Sequence, residues 1–350
     1  MDAHPLPVDP VATLRRIAFL LERGQADTYR VRAYRTAADV ADALGPEELA
    51  VRSQRGTLTS VAGIGPKTAA IISEATSGHV PDYLNQLETD AADLVRPLDQ
   101  AGADLLRSLR GDCHTHSDWS DGGSSPATMA LAGRDDIGHD WMVLTDHSPR
   151  LTVARGLSAE RLQTQLELVA QINEDLAPFR VLTGIEVDIH PDGTLDQEPG
   201  LLARLDVVVG SVHSELRMPS APMTARLLAA VANPHLDVLG HATGRLVAGK
   251  RRRPESVFDA DEVFAACAEA GVAVEVNSRP ERLDPPRRLL RQAVQAGCLL
   301  AIDTDAHAPG QLDWQAHGVA RAVECAAEPD RVVTTWPAER LLAWTASHVP

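Results

Sequence analysis

The chain has 350 residues, 44% of them apolar, and a formal net charge of −16. That length and apolar content allow two domains with a sizeable core, and no 18-residue apolar run is present to span a membrane. Most of the acidity, −13, falls in residues 112–350, so a nucleic-acid partner would need locally gathered cations or bound metal ions.

Residues 1–10 lack a basic n-region and an apolar h-region, which predicts a flexible lead-in and no signal peptide. Residues 11–88 read as helical. VATLRRIAFLLERG and YRVRAYRTAADVADAL place apolar residues at helical spacing. LTSVAGIGPKTAAIISEATSG then turns at Gly63-Ile64-Gly65 into a helix with Pro66 at its first position. Residues 89–110 read as a helical connector. From 111 to 350 the pattern changes to short apolar runs at 111–116, 141–147, 180–189, 206–213, 237–242, 272–278 and 299–307. Helical patterns lie at about 158–177, 223–232, 259–270 and 285–296. The alternation predicts a parallel sheet of seven strands, open or closed, and the Val/Ile/Leu-rich runs predict cover on both faces. Cys113, Cys267, Cys298 and Cys325 are widely spaced with no CxxC pair. Free thiols and a cytoplasmic location are therefore expected.

The stretch GDCHTHSDWSDG, residues 111–122, carries two histidines and three aspartates. On a strand, residues of one parity share a face, so Asp112, His114 and His116 point one way and Cys113 the other. Asp303, Asp305 and His307 repeat the device in the last run. The C-terminal ends of the runs read His114/His116, Asp146-His147, Glu186, His213, His241, Glu275/Asn277 and Asp305/His307. In a parallel barrel those ends form one rim, where such enzymes place their active sites. Six histidines with Asp121, Glu186 and Asp305 offer nine nitrogen or oxygen ligands and no thiolate. That set is too large for one ion and suits two or three of zinc, manganese or iron. A single histidine at a strand end is ordinarily a satisfied polar residue; the coincidence of HxH, DxH and three matched ends favours metal. Asp112 reads as an orienting group, and Asp146 must face away from the rim unless the strand has ended before it. His139, His190, His235 and His317 fit no strand end and read as surface or loop residues.

At HTHSDWSDG, LTDHS, GIEVDI, GSVH, GHATGR and DTDAH the sequence resembles the PHP (polymerase and histidinol phosphatase) family over residues 112–345. The resemblance implies a distorted seven-stranded β/α barrel with a trinuclear site. It further implies that His114, His116, Glu186 and Asp305 serve one ion, that Asp121, His147, His213, His241 and His307 serve the others, and that Glu186 bridges. Asp121 stands where some relatives carry histidine. GHATGRLV, EVNSRPERLD and DTDAHAPGQLDWQAHGVA are similar to the PHP module of bacterial family X DNA polymerases. YRVRAYRTAADV and LTSVAGIGPKTAAII resemble the helix-hairpin-helix domain of the same polymerases. The 23 residues between 88 and 112 cannot hold a polymerase core. Eukaryotic relatives use a lysine four residues beyond the position of Lys67 as a lyase; here that position is Ile71, which forms no Schiff base.

Between 14 and 35 lie six arginines, of which Arg30, Arg32 and Arg35 are taken, with Gly63, Gly65 and Lys67, as the DNA-contacting set. A glycine hairpin presents backbone N–H groups to phosphate at a helix N-terminus; an ordinary helix pair with a glycine turn is the plain alternative. GKRRRP (249–254) reads equally as a phosphate grip and as a solvated loop. The expected activity is a metal-dependent phosphoesterase on DNA ends or gapped DNA, a 3′→5′ exonuclease or 3′-end cleaner. A hydroxide bridging the ions attacks in line, while Glu186 holds the ions and Arg245 and Arg279 hold non-bridging oxygens. The alternatives are a phosphomonoesterase on a small ester such as histidinol phosphate and a non-catalytic DNA-end binder with structural metals.

Overall fold

The computed structural model describes residues 8–92, 97–249 and 252–348. By internal contacts the chain divides into two compact units, residues 1–96 and 97–350.

The first unit is all helical: α1 (Pro10–Arg23), α2 (Thr28–Arg55), α3 (Pro66–Thr76) and α4 (Asp82–Ala92). Asp9 caps α1, its carboxylate accepting from the Val11 N–H at 2.8 Å. Leu14, Ile17 and Leu21 of α1 bury their face against Ala37, Ala38 and Ala41 of α2 and Ile72 of α3. The small alanines let the helix backbones approach closely. α2 breaks at Gly45-Pro46, where proline removes a backbone donor. The hairpin before α3 forms as read. Gly63 has φ +93°, and a Cβ there would sit 2.9 Å from Val40 Cγ2, so only glycine fits.

The second unit is α/β. Its elements are α5 (Gln100–Ser108), α6 (Pro126–Ala132), β1 (Trp141–Leu144), α7 (Ala159–Leu176), β2 (Arg180–Asp188), α8 (Pro199–Leu202), β3 (Val207–Ser211), α9 (Ser220–Val231), β4 (Val238–Leu239), α10 (Ala260–Ala270), β5 (Ala273–Asn277), α11 (Arg287–Gln295), β6 (Leu300–Asp303), α12 (Gln315–Glu324) and α13 (Ala338–Thr345). The strands form one curled, wholly parallel half-barrel in the order β1-β2-β3-β4-β5-β6. Both faces are covered, as the strand composition predicts. Ile185, Val187, Val208, Leu239, Val274 and Ile302 pack outward with residues of α9 to α12. Val143, Leu182, Val207, Val209, Val238 and Ala301 pack on the other side with Cys113, Val333 and Leu341. Each buried Val, Leu or Ile among them contributes about 1.5–3 kcal/mol.

Among the described residues six strands form where seven are expected. The first run, 111–116, makes only single-residue bridges, Thr115 to Leu144 and Thr115 to Ala306. Its amides are taken by side chains: Cys113 N–H by Asp303 Oδ1, His114 N–H by Asp112 Oδ1 and Thr115 N–H by Thr145 Oγ1, at 2.8–3.0 Å. A continuous ladder needs those donors. The helical patterns read from the sequence correspond to α7, α9, α10 and α11. The connector stretch divides: its start completes α4, and its end forms α5, whose Leu105 packs in the second unit's core. His139 lies in a loop but is buried, not on the surface, and its backbone N–H donates to the Gly133 carbonyl at 2.9 Å. His317 belongs to α12. No helix among the described residues is long and apolar enough to cross a membrane.

Candidate metal centre

The nine polar groups read from the sequence converge. Glu186, near the end of β2, lies at the middle. Its Oε2 is 2.8 Å from His147 Nδ1, 3.4 Å from His114 Nε2 and 3.6 Å from His116 Nε2. Its Oε1 is 2.9 Å from His241 Nε2 and 3.2 Å from His213 Nε2. Asp121 Oδ1 lies 3.5 Å from His147 Nε2 and 3.4 Å from His307 Nε2. Asp305 Oδ1 lies 3.5 Å from His116 Nε2. Three sets bring their ligand atoms within 4.8 Å of one another: His116, Asp121, His147 and His307; His114, His116 and Glu186; His147, Glu186 and His213. Each of these sets could hold a metal ion, and two of them share Glu186.

The donor chemistry fits divalent cations. His114 Nε2, both ring nitrogens of His116 and of His213, His147 Nδ1 and Glu186 Oε2 are buried without a hydrogen-bond partner. Buried polar atoms are ordinarily satisfied, and here they aim at one another around a common space. The carboxylates are held ionised. Burial alone would raise Glu186, but the charges of His114, His147 and His213 hold it well below the usual range. Asp305 is likewise opposed by burial and held low by Arg282 and Arg279. For Asp121 burial is outweighed by the hydrogen bond and charge of His307, then by His116 and His147.

Other residues hold the ligands in place. Glu275 Oε1 lies 2.6 Å from His114 Nδ1, and Asp188 Oδ1 lies 3.5 Å from His213 Nδ1 while accepting from the His213 backbone N–H at 3.1 Å. These carboxylates fix ring orientation from behind. Asp112 accepts from Thr304 Oγ1 at 2.5 Å and from the His114 N–H, an orienting position as expected of it. Asp146 faces away from the cluster and binds Ser117, Ser120 and Gln165.

The cavity over the cluster has a volume of about 460 Å³ and is lined by Asp121, His147, His213, Asp305 and His307 with Arg279 and Arg282. Arg279 Nη1 reaches the Asp305 carbonyl at 3.3 Å. Arg245 stands elsewhere: its Nε donates to the Arg282 carbonyl at 3.0 Å and its Nη2 to the Leu283 carbonyl. Its guanidinium is spent on clamping the 282–284 loop and is not among the cavity walls. Arg282 was not read from the sequence. It donates to Asp305 Oδ2 at 2.9 Å, and its Nη1 is buried without a partner. Nothing in its local spacing marks it; only the fold of the loop after β5 aims it inward.

In the helical unit the arginine cluster is less free than its sequence implies. Arg35 pairs with buried Glu22 at 2.7 Å, Arg15 with Asp42 and Arg16 with Glu88. Arg30 stacks on the Tyr83 ring at 5.6 Å. Arg32 and Lys67 are exposed, and the Gly65 N–H donates to Thr68 Oγ1 at 3.0 Å. In GKRRRP, Lys250 and Arg251 lie outside the described residues, Arg252 is exposed, and Arg253 donates to the Gly244 carbonyl.

Residues 8–80 match the family model of a helix-hairpin-helix domain. DNA polymerase/3′-5′ exonuclease PolX of Bacillus subtilis (strain 168) is 41% identical over 217 residues, 62% of this chain; the chain spans only 37% of that relative's length. Probable phosphatase Teth514_1060 of Thermoanaerobacter sp. (strain X514) is 27% identical over 206 residues, covering 56% of this chain and 78% of the relative. A solved structure of histidinol phosphate phosphatase from Lactococcus lactis subsp. lactis Il1403, complexed with zinc, L-histidinol and phosphate, aligns with a TM-score of 0.47 at 19% identity, over 63% of this chain and 94% of that one. The chain is thus similar to proteins named as a DNA polymerase/3′-5′ exonuclease and as probable phosphatases, and its residues 8–80 to a helix-hairpin-helix domain.

Proposed function

We propose that the chain hydrolyses phosphodiester bonds at DNA ends, as a 3′→5′ exonuclease or 3′-end-processing enzyme. The observation that carries this reading is the presence, in one chain, of the clustered histidines and carboxylates and a helix-hairpin-helix domain. The Bacillus relative, named as a polymerase and 3′-5′ exonuclease, supports it.

His114, His116, Asp121, His147, Glu186, His213, His241, Asp305 and His307 would hold two or three zinc, manganese or iron ions. When bound, such ions lower the pKa of water toward neutrality and neutralise charge on a phosphoryl group. The chain's own residues do the rest. Glu186 balances the surrounding imidazoles. Glu275 and Asp188 keep His114 and His213 in register. Arg279 and Arg282 on the cavity wall are placed to hold phosphoryl oxygens through charge-assisted hydrogen bonds. DNA contact falls to Arg32, Lys67 and the Gly63–Gly65 hairpin, with Arg30 and Arg35 shaping the same unit.

Incubation of the full chain with Mn²⁺ and 5′-labelled single-stranded or gapped DNA tests the proposal. Stepwise shortening from the 3′ end is the expected result. An intact ladder with Mn²⁺, Zn²⁺ and Mg²⁺ alike would refute it. The relatives named as probable phosphatases favour a second reading, a small-ester phosphomonoesterase. That reading predicts turnover of simple monoesters unaffected by Arg32→Ala/Lys67→Ala, which the DNA reading does not require.

A further inference from the structure

Asp121 differs from the other eight groups. It is the exposed member of the cluster, with a side chain 38% accessible, while the remaining ligands are buried or half-buried. It also lies within a turn, residues 118–121, rather than just past a strand end or on the bridging run. A carboxylate so placed needs something to hold its loop.

The structure supplies that holder from 34 residues away in sequence. Arg155 Nη2 donates to the Asp118 carbonyl at 3.0 Å and to the Ser120 carbonyl. Arg161 Nη2 donates to the Trp119 carbonyl. Two guanidinium groups thus take three consecutive carbonyls directly before Asp121. The clamp is itself braced, since Arg161 Nη1 donates to the Arg155 carbonyl at 2.6 Å and to that of Gly156 at 3.3 Å. Arg155 holds a left-handed φ of +57°. Gly156 lies so close to Ser148 that a Cβ would come within 1.8 Å of its carbonyl oxygen. The loop 148–157 is therefore pressed onto the end of β1, next to His147. From the other side Asp146 binds Ser117 and Ser120.

We infer that Arg155 and Arg161 are positioning residues that govern the metal set of His116, Asp121, His147 and His307, and that without them this set alone loses its ion. The inference rests on the reading of the cavity as a divalent-cation site. The other two sets, His114/His116/Glu186 and His147/Glu186/His213, draw their ligands from the strand ends and the bridging run and do not use the clamped loop. Groups that orient ligands from behind typically set metal affinity by about 10–100-fold.

Metal content after equilibrium dialysis against Zn²⁺ is the test, on the full chain as wild type, Arg155→Ala, Arg161→Ala, the double variant and Arg155→Lys. Asp121→Asn serves as the reference for an emptied set. The expected result is one ion fewer per chain in the double variant and in Asp121→Asn. The weakest-bound ion should lose about tenfold in affinity in each single alanine variant, and Arg155→Lys should recover part of that loss. The melting temperature of the metal-free double variant should match that of the metal-free wild type. Full metal content in the double variant overturns the inference, as does loss of every ion together or a melting temperature that falls in parallel. A wild-type chain that binds no ions overturns both this inference and the metal reading beneath it. Wild type that binds ions while the double variant retains them all removes the clamp alone.

Discussion

Glu186 is the residue on which the centre balances, because five imidazoles lie within 3.6 Å of its two oxygens. Glu186→Gln keeps the shape and removes the charge. Two of the three ligand sets then lack their carboxylate, and turnover should fall by more than about 10²-fold together with metal content; metal analysis beside initial rates checks this, and a fully loaded, active variant would contradict it. His139 makes a separate prediction away from the site. Burial pushes its imidazole down to about 4 from the ordinary 6.5. The unfolded chain therefore takes up a proton that the folded chain refuses, so stability is full above pH 6.5 and is lost as pH falls from there through 4. In His139→Gln the drop in unfolding free energy between pH 7 and pH 4 should be smaller by up to about 3 kcal/mol, read from urea titrations at the two pH values. Equal drops would show that this imidazole is not the sensitive group.

At the level of elements, the short strands aim the ligands and the loops after them finish the site. β4 contributes two residues, yet it sets His241 two positions beyond its end. The hairpin into α3 is a clear local device, with glycine at a left-handed position and proline opening the helix. The same helix carries the argument against lyase chemistry. Ile71 lies in the core of the helical unit, and the one lysine of that segment, Lys67, is exposed on the first turn. Borohydride treatment with DNA bearing a 5′-deoxyribose phosphate should trap no covalent adduct. A trapped species would mean that Lys67 or the amino terminus acts as the nucleophile.

For the molecule as a whole, a strongly acidic chain is proposed to bind a polyanion, so local cations and metal ions must supply the attraction. Arg32 and Lys67 are exposed in the helical unit. Arg32→Ala/Lys67→Ala should lower the slope of log K against log salt for DNA binding by about 2 while leaving metal content unchanged; an unaltered slope would place the phosphate contacts elsewhere. Much of this protein was legible without coordinates. Parity along a strand and the ends of parallel runs are local rules, so eight of the nine converging groups (all but Asp121, which lies in a turn), the glycine hairpin and the alternating α/β pattern could be read from spacing. Tertiary structure decided what depends on partners distant in the chain. Side-chain capping of the 113–115 amides replaced a seventh strand with single bridges. Ion pairs within the helical unit consumed Arg15, Arg16 and Arg35. The loop after β5 turned Arg282 inward and gave Arg245 a clamping task, and Arg155 and Arg161 closed on the carbonyls before Asp121. The physical reason is the same in each case: a guanidinium or an amide commits to whichever acceptor the folded chain brings near, and sequence spacing carries no record of that acceptor.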